Sequence, residues 1–464
     1  MTNPRFDLAV IGGGEAGIAA AAQAAESGAK TCLIEKSPLL GGACVATGTL
    51  PSKVFSISAG MLELARKLGN FGVRVSGEIS LDFKEVLASR QRLTRCDQGV
   101  IQTHLKSQRV EVVRGKAVLR SKSLIHVESE PGQTVEIEAP RVILASGSRP
   151  TELPDFPADG KTILTTDDLV GVTELPARML VVGAGVIGCE YAFIFRTFGV
   201  EVALVEKLEH ALSGQDVDIV AAVEKELKRK GVRYLPGTML TGHARTQEGL
   251  VFTTDKGEEI SAGMAIICTG RKPATETLGL EEVGVKTGPR GEVLVDARLE
   301  SSVPGIFAAG DVLGRRMVSS TAILEGGLAA GNAMGGNREL DERFVSTGIY
   351  TMPEIGSAGM TEAEAAAREI PVIVGKCTYS RLVKACGLYA HGPGLIKMIF
   401  EKGSGRLIGT HIIGAEAAEL IHLPAAAMRL GAKAEDFIYS IYHHPSFCEG
   451  FREAAKDAVG KPHE

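Results

Sequence analysis

Near its start the chain carries a short apolar run, residues 8–11 (LAVI), then glycines, then an alanine-rich stretch with few polar positions. A second apolar run follows and ends on Glu35 and Lys36. Short apolar runs bounded by glycine predict strands, and the alanine-rich stretch between them predicts a helix. Gly12, Gly14 and Gly17 punctuate the turn between strand and helix. At this spacing the first glycine permits the tight turn, the second lets a pyrophosphate approach the backbone, and the third lets the helix pack closely on the strand. The helix N-terminus then offers unpaired N–H groups and a favourable dipole to phosphates. Glu35, closing the second strand, stands where a carboxylate accepts hydrogen bonds from ribose hydroxyls.

The same pattern returns downstream. Residues 178–207 contain Gly183, Gly185, Gly188, Glu206 and Lys207, each 171 positions after Gly12, Gly14, Gly17, Glu35 and Lys36. One glycine-rich turn is weak evidence, since such turns also arise for structural reasons. Two complete units, each with its acid in place, predict two Rossmann-type dinucleotide-binding domains in an α/β chain. Glu206 suits a free ribose 2′-hydroxyl and repels a 2′-phosphate, which favours NAD(H) over NADP(H), although Lys207 beside it partly compensates.

Composition narrows the partners more than the fold. A chain of 464 residues has room for about three domains. Apolar residues at 44%, charged residues at 23%, 56 Gly and no Trp fit a soluble, loop-rich α/β protein. A net charge of −5 without a long Lys/Arg block argues against nucleic acid as a partner. There is no apolar run of about 18 residues to span a membrane and no signal-peptide pattern at the start, so a cytoplasmic location is expected. The eight cysteines (Cys32, Cys44, Cys96, Cys189, Cys268, Cys377, Cys386, Cys448) are scattered without CxxC pairs. That spacing indicates neither a zinc site nor a disulfide framework, and most of the thiols are expected to be buried.

Four further segments are more specific: GGACVATGTLPSK at 41–53, RVILASGSRP at 141–150, ICTGRKP at 267–273 and GIFAAGDVLG at 305–314. With the two repeats they make the whole chain resemble the pyridine nucleotide-disulfide oxidoreductases, the dihydrolipoamide dehydrogenase and glutathione reductase family. The resemblance implies FAD on the first repeat and NAD(H) on the second, with Asp311 on the flavin ribityl chain. It extends the cofactor-binding set to Lys36, Gly42, Thr49, Lys53, Gly147 and Gly270. It also implies an FAD domain at 1–148 and 271–345, an NAD(H) domain at 149–270, and an α+β dimerisation domain at 346–464 that pairs two copies into a homodimer. Pro150, Pro154 and Pro157 mark the first joint, and the polar stretch 335–344 precedes the last.

One departure stands out. Disulfide-reducing members of the family carry a CxxxxC redox pair, and here its positions hold Cys44 and Thr49. A threonine hydroxyl has no accessible thiolate-like state and cannot close a disulfide, so a dithiol relay through this pair is impossible. Other implied catalytic residues persist. Lys53 and Glu190 match the lysine–glutamate pair beside the flavin N5. His444 and Glu449, in the HPxxxE segment, match an acid/base histidine and the carboxylate that orients it, delivered to the partner copy's active-site cysteine. Cys448 falls in the same segment.

The reading is an FAD-dependent NAD(P)H oxidoreductase, using NADH and an unidentified small electron acceptor, that is not a conventional disulfide reductase. Alternatives are a soluble NAD(P) transhydrogenase-like or quinone-reducing, diaphorase-like enzyme, chemistry on a small sulfur substrate by Cys44 and His444, and a non-catalytic flavoprotein sensor or binding partner. Because Thr49 supplies no thiolate, anaerobic NADH titration of the FAD-loaded protein is expected to bleach the flavin without a long-wavelength thiolate-to-flavin charge-transfer band. Appearance of that band would overturn the argument.

Overall fold

The computed structural model describes residues 3–130, 132–247, 249–389 and 393–460. Two parallel five-stranded sheets dominate the first three quarters of the chain. The first runs in the order Ile306–Ala308, Val142–Leu144, Leu8–Ile11, Thr31–Glu35, Glu111–Arg114. In the second the order is Arg233–Leu235, Glu201–Val205, Arg178–Val182, Met264–Ile267, Ile163–Thr165. The central strands are buried along their length, but for the half-buried Arg178 that opens Arg178–Val182, which is why they read as continuous apolar runs rather than alternating ones.

The repeat in sequence is a repeat in register. Leu8 pairs with Thr31 and Met179 with Val202, the same positions of each unit. A two-stranded antiparallel ribbon, Ser148–Pro150 against Arg271–Pro273, carries the chain out of the first sheet's neighbourhood and back. Each parallel sheet is accompanied by a three-stranded antiparallel sheet, strands within 116–138 and 240–262 respectively. The remaining chain builds an antiparallel sheet, Ser346–Ile349, Glu354–Gly359, Leu407–Gly414, Leu395–Glu401 and Val372–Thr378, with helices packed on it.

Small residues set the closest contacts. Helix Glu15–Glu26 lies against helix Ser319–Ala333 so tightly that a β-carbon on Gly326 would fall 2.1 Å from the Ala16 carbonyl oxygen. No described helix is long and apolar enough to cross a membrane. The cysteine expectation needs correction: Cys32, Cys189, Cys268 and Cys377 are buried, but Cys44, Cys386 and Cys448 are half-buried and Cys96 is exposed. Scattered cysteines carry no periodicity from which the solvent-facing ones could be told apart.

A buried charge cluster joins the second domain to the C-terminal one. Lys397, fully buried on a strand of the last sheet, donates to Asp216 at 2.7 Å, to Asp218 at 2.6 Å and to Glu362. Burial opposes the lysine's charge, but the three carboxylates outweigh it and hold the ammonium above its ordinary range. These acids would otherwise be a candidate cation site; the lysine Nζ bonds all three. Lys397→Met is expected to lower unfolding stability by about 3–5 kcal/mol, because it strands the buried Asp216 without its counter-charge, although Asp218 keeps Lys376. A chemical-denaturation midpoint equal to wild type would remove the cluster from any structural role.

Candidate active site

The two glycine turns are built alike. Gly12 and Gly183 adopt φ of +111° and +99°, a left-handed conformation that disfavours any side chain. A β-carbon on Gly17 would lie 1.8 Å from the Gly12 oxygen, and one on Gly188 1.8 Å from the Gly183 oxygen, so both third glycines are demanded by the protein's own packing. Gly185 differs, since a β-carbon there would meet no protein atom within 4 Å. The space beside it leaves the helix start open to a ligand phosphate.

The acids do more than the sequence suggested. Glu35 accepts hydrogen bonds from the N–H groups of Gly13 and Ser37, both at 2.6 Å, and Glu206 accepts from Ala184 and Leu208 at 2.7 and 2.9 Å. Each carboxylate thus clamps its glycine turn and retains acceptor capacity for ribose hydroxyls. Lys36 and Lys207, which follow them, are exposed.

Around the first turn the structure gathers several predicted residues. Gly41 N–H donates to Gly13 O at 2.7 Å, and a β-carbon on Gly42 would fall 2.9 Å from Gly14 Cα, so the two loops lie against one another. Cys44 follows on helix Gly42–Ala46, half-buried, and burial pushes its thiol above the ordinary range. Thr49 opens helix Thr49–Ala65, and its hydroxyl is 3.4 Å from that of Ser319. Gly147 and Gly270 flank the ribbon with φ of +74° and +113°.

Asp311 accepts a 2.5 Å hydrogen bond from Ser148 Oγ, which in turn accepts from Arg271 Nε at 2.8 Å; Arg271 is also paired with Asp167 at 2.7 Å. The neighbouring Gly310 N–H donates to the buried Glu325 at 2.7 Å, and burial pushes that carboxyl up to about 7. Close by, Ser146 Oγ and Thr321 Oγ1 are buried with no hydrogen-bond partner among the described residues. Unsatisfied hydroxyls beside a glycine turn, an aspartate and a helix start fit a bound group rich in hydroxyls and phosphates, as FAD is.

Lys53 lies one turn after Thr49 on the same helix face. Its Nζ donates to Glu190 Oε2 at 3.1 Å and sits 3.8 Å from the centre of the Tyr350 ring, while Glu190 Oε1 accepts from the Tyr350 N–H at 2.8 Å. Burial lowers the Lys53 ammonium from its ordinary range, with Glu190 opposing. Glu190 is only 7% exposed because its helix, Val186–Thr197, is buried along most of its length.

His444 and Glu449 stand elsewhere. His444 Nδ1 is 3.0 Å from Glu449 Oε1, and Glu449 Oε2 accepts from the Ser446 N–H at 2.9 Å. Burial pushes the Glu449 carboxyl up, but the histidine and this N–H outweigh it and hold the carboxyl low. The histidine side chain is 63% exposed. Among the described residues no hydrogen bond or ion pair links it to Cys44 within one chain.

Sequence reasoning missed Glu15, Ser319, Tyr350, Ser148 and Arg271. Only Glu15 carried a signal, a carboxylate placed inside a turn suited to phosphate.

The fold sets two glycine turns of dinucleotide-binding type in one chain, and the Lys53–Glu190 pair joins the units that carry them. Residues 6–326 match the family described as pyridine nucleotide-disulphide oxidoreductase, and residues 345–455 match that family's dimerisation domain. The chain is 34% identical to a dihydrolipoyl dehydrogenase of Bacillus subtilis over 456 residues, covering 98% of each. It is also 34% identical to one from Chlorobaculum tepidum, over 98% of this chain and 97% of that protein. The crystal structure of LpdA from Mycobacterium tuberculosis superposes with a TM-score of 0.90 at 28% identity, covering 98% of this chain and 99% of that one. This chain belongs to the pyridine nucleotide-disulphide oxidoreductase family and is of the dihydrolipoamide dehydrogenase type. It is an oxidoreductase that uses FAD and NAD(H).

The two glycines of the second turn separate packing from binding. Gly188→Ala, which must clash with Gly183 O, is expected to lower the melting temperature whether or not nucleotide is present. Gly185→Ala is expected to leave the melting temperature of the nucleotide-free protein unchanged while raising the Kd for NADH. Equal effects of both substitutions on melting without NADH would sink the distinction.

Proposed function

We propose that this protein is a homodimeric FAD-dependent NADH oxidoreductase that passes electrons to a small quinone-type acceptor without a dithiol relay. The observation that carries the reading is Thr49 at the position of the second cysteine, its hydroxyl 3.4 Å from that of Ser319 rather than joined to Cys44 through sulfur. Bound FAD would supply two-electron chemistry between NADH and the acceptor.

The chain's own residues supply binding and orientation. The clamped turns at Gly12–Gly17 and Gly183–Gly188 hold the two pyrophosphates, and Asp311, fixed by Ser148, takes the ribityl hydroxyls. Lys53, held by Glu190 and the Tyr350 ring, directs its ammonium to the reacting edge of the ring system. Glu206 disfavours a 2′-phosphate on the second turn, which argues for a diaphorase-like enzyme over one that exchanges hydride between NADH and NADP.

The homodimer is supported by apolar side chains left in solvent by a single chain. Ile57, Met61 and Val100 are about three-fifths exposed on helices of the first domain, and Tyr439 and Ile441 are more exposed still beside the His444 segment. A second copy covering these faces would receive His444 at its Cys44. The oriented His444–Glu449 pair favours a second reading, in which that histidine and Cys44 act on a small sulfur substrate.

A panel assay decides between the two. NADH turnover is measured with quinones, NADP, lipoamide and small disulfides, for wild type and for Thr49→Cys. Wild type is expected to reduce quinones and to leave lipoamide and disulfides at background, with Thr49→Cys gaining disulfide turnover. Dihydrolipoamide oxidation by wild type at a rate matching its quinone turnover, and abolished in Cys44→Ser, would overturn the proposal.

A further inference from the structure

We propose that Arg271 is a positioning residue that couples retention of FAD to the docking of the second nucleotide unit on the first. The inference rests on the reading above that Asp311 takes the ribityl hydroxyls, and adds a link through which the other unit acts on that carboxylate.

The ribbon that joins the two units is thin. It holds three residue pairs, and Pro150 and Pro273, one on each strand, offer no N–H to its ladder. Arg271 lies opposite Pro150 and reaches the other strand with its side chain, Nη2 donating to Ser148 O at 3.0 Å and Nε to Ser148 Oγ at 2.8 Å. The rest of the guanidinium serves the second unit. Nη1 donates to Asp167 Oδ1 at 2.7 Å and to Thr166 Oγ1 at 3.4 Å, and Nη2 donates to Asp167 Oδ2 at 3.4 Å. Thr166 and Asp167 directly follow Ile163–Thr165, the outer strand of the second sheet. Each of the guanidinium's N–H groups thus has an acceptor, on the ribbon or at the second sheet. At 13% exposure the side chain finds little water to replace an acceptor that is lost.

The other end of the link is a hydroxyl with one proton. Arginine has no acceptor, so it meets Ser148 Oγ only as a donor. Ser148 must accept from it, which leaves its proton for Asp311 Oδ2, 2.5 Å away. The guanidinium therefore sets the direction of that proton, and the carboxylate keeps acceptor capacity for ribityl hydroxyls. The backbone before Asp311 is held separately, by the Gly310 N–H to Glu325 bond of 2.7 Å within the first unit. The backbone of this turn is thus fixed locally, and the Asp311 carboxylate is fixed from across the ribbon.

Loosening the second unit at Asp167 frees the guanidinium, lets the Ser148 hydroxyl turn, and leaves FAD a less ordered carboxylate. By linkage the effect is reciprocal, and FAD on Asp311 favours the docked position of the second sheet. A lysine could not do the same work, because a single ammonium nitrogen cannot span Ser148 and both oxygens of Asp167 as a planar fork does.

The test follows flavin release. FAD-loaded protein is diluted, and the rise of free-flavin fluorescence gives a dissociation rate that involves neither NADH nor an electron acceptor. Arg271→Lys and Asp167→Asn are each expected to speed release about fivefold or more, the size of a typical coupling between sites. Combined, they are expected to stay within about twofold of the faster single variant, because Asp167 acts through Arg271. Asp168→Asn is the control. Asp168 accepts from the N–H and the hydroxyl of Thr165, both at 2.7 Å, so its loss loosens the same loop without removing a bond of Arg271. Release from that variant is expected to match wild type. Wild-type release from Asp167→Asn, equal acceleration in Asp168→Asn, or effects that multiply in the double variant would each overturn the proposal. Should Arg271→Lys fail to fold, the comparison of Asp167→Asn with Asp168→Asn decides alone. Asp311→Ala separates the coupling from the reading beneath it. Unchanged release there overturns the role of Asp311 and the proposal with it, whereas faster release there beside wild-type release from Asp167→Asn defeats the coupling alone.

Discussion

One carboxylate holds the three domains together at the reaction centre. Glu190, nearly buried on a helix of the second domain, accepts Lys53 from the first domain on one oxygen and the backbone N–H of Tyr350 from the third on the other. A carboxylate has acceptor sites enough for both. The Tyr350 ring, 3.8 Å beneath the Lys53 ammonium, closes the triangle by a cation–π contact. The position of Lys53 therefore depends on all three domains being docked. The buried Lys397 cluster supports this arrangement from farther out, joining Asp216 and Asp218 of the second domain to Glu362 of the third.

The two nucleotide turns share a backbone but not their surroundings. In each, the first and third glycines are fixed by contact with one another, and the strand-end acid is bonded to the N–H of the following turn. At the middle glycine they part. Gly14 is covered by Gly42, which places Cys44 beside the helix start, whereas Gly185 faces no protein atom within 4 Å. The second turn is an open nucleotide seat. The first is also packed against the loop that leads into the Cys44 helix.

The proposed absence of a thiol relay changes what the remaining groups mean. Cys44 stands half-buried with Thr49, not a cysteine, five residues on, while His444 keeps its carboxylate partner on an exposed face of the C-terminal domain. Under the proposed function the electron pair bypasses both, which leaves Lys53 and the nucleotide turns as the working parts.

Much of this was legible in the amino-acid sequence, and the reason is locality. A turn that needs φ near +100° at Gly12 and Gly183, and a helix packed on its own strand at Gly17 and Gly188, impose glycine within a few residues, so the spacing shows them directly. The absence of a sulfur at Thr49 is likewise a fact of composition at one position. Contacts across long separations have no such signature. Lys53 and Glu190 are 137 residues apart, and Lys397 and Asp216 are 181 apart. The loops at Gly14 and Gly42 lie against one another only because neither carries a side chain. Nothing in the periodicity of either segment encodes which carboxylate will face which cation or thiol, because burial and charge pairing are settled when the sheets and helices pack.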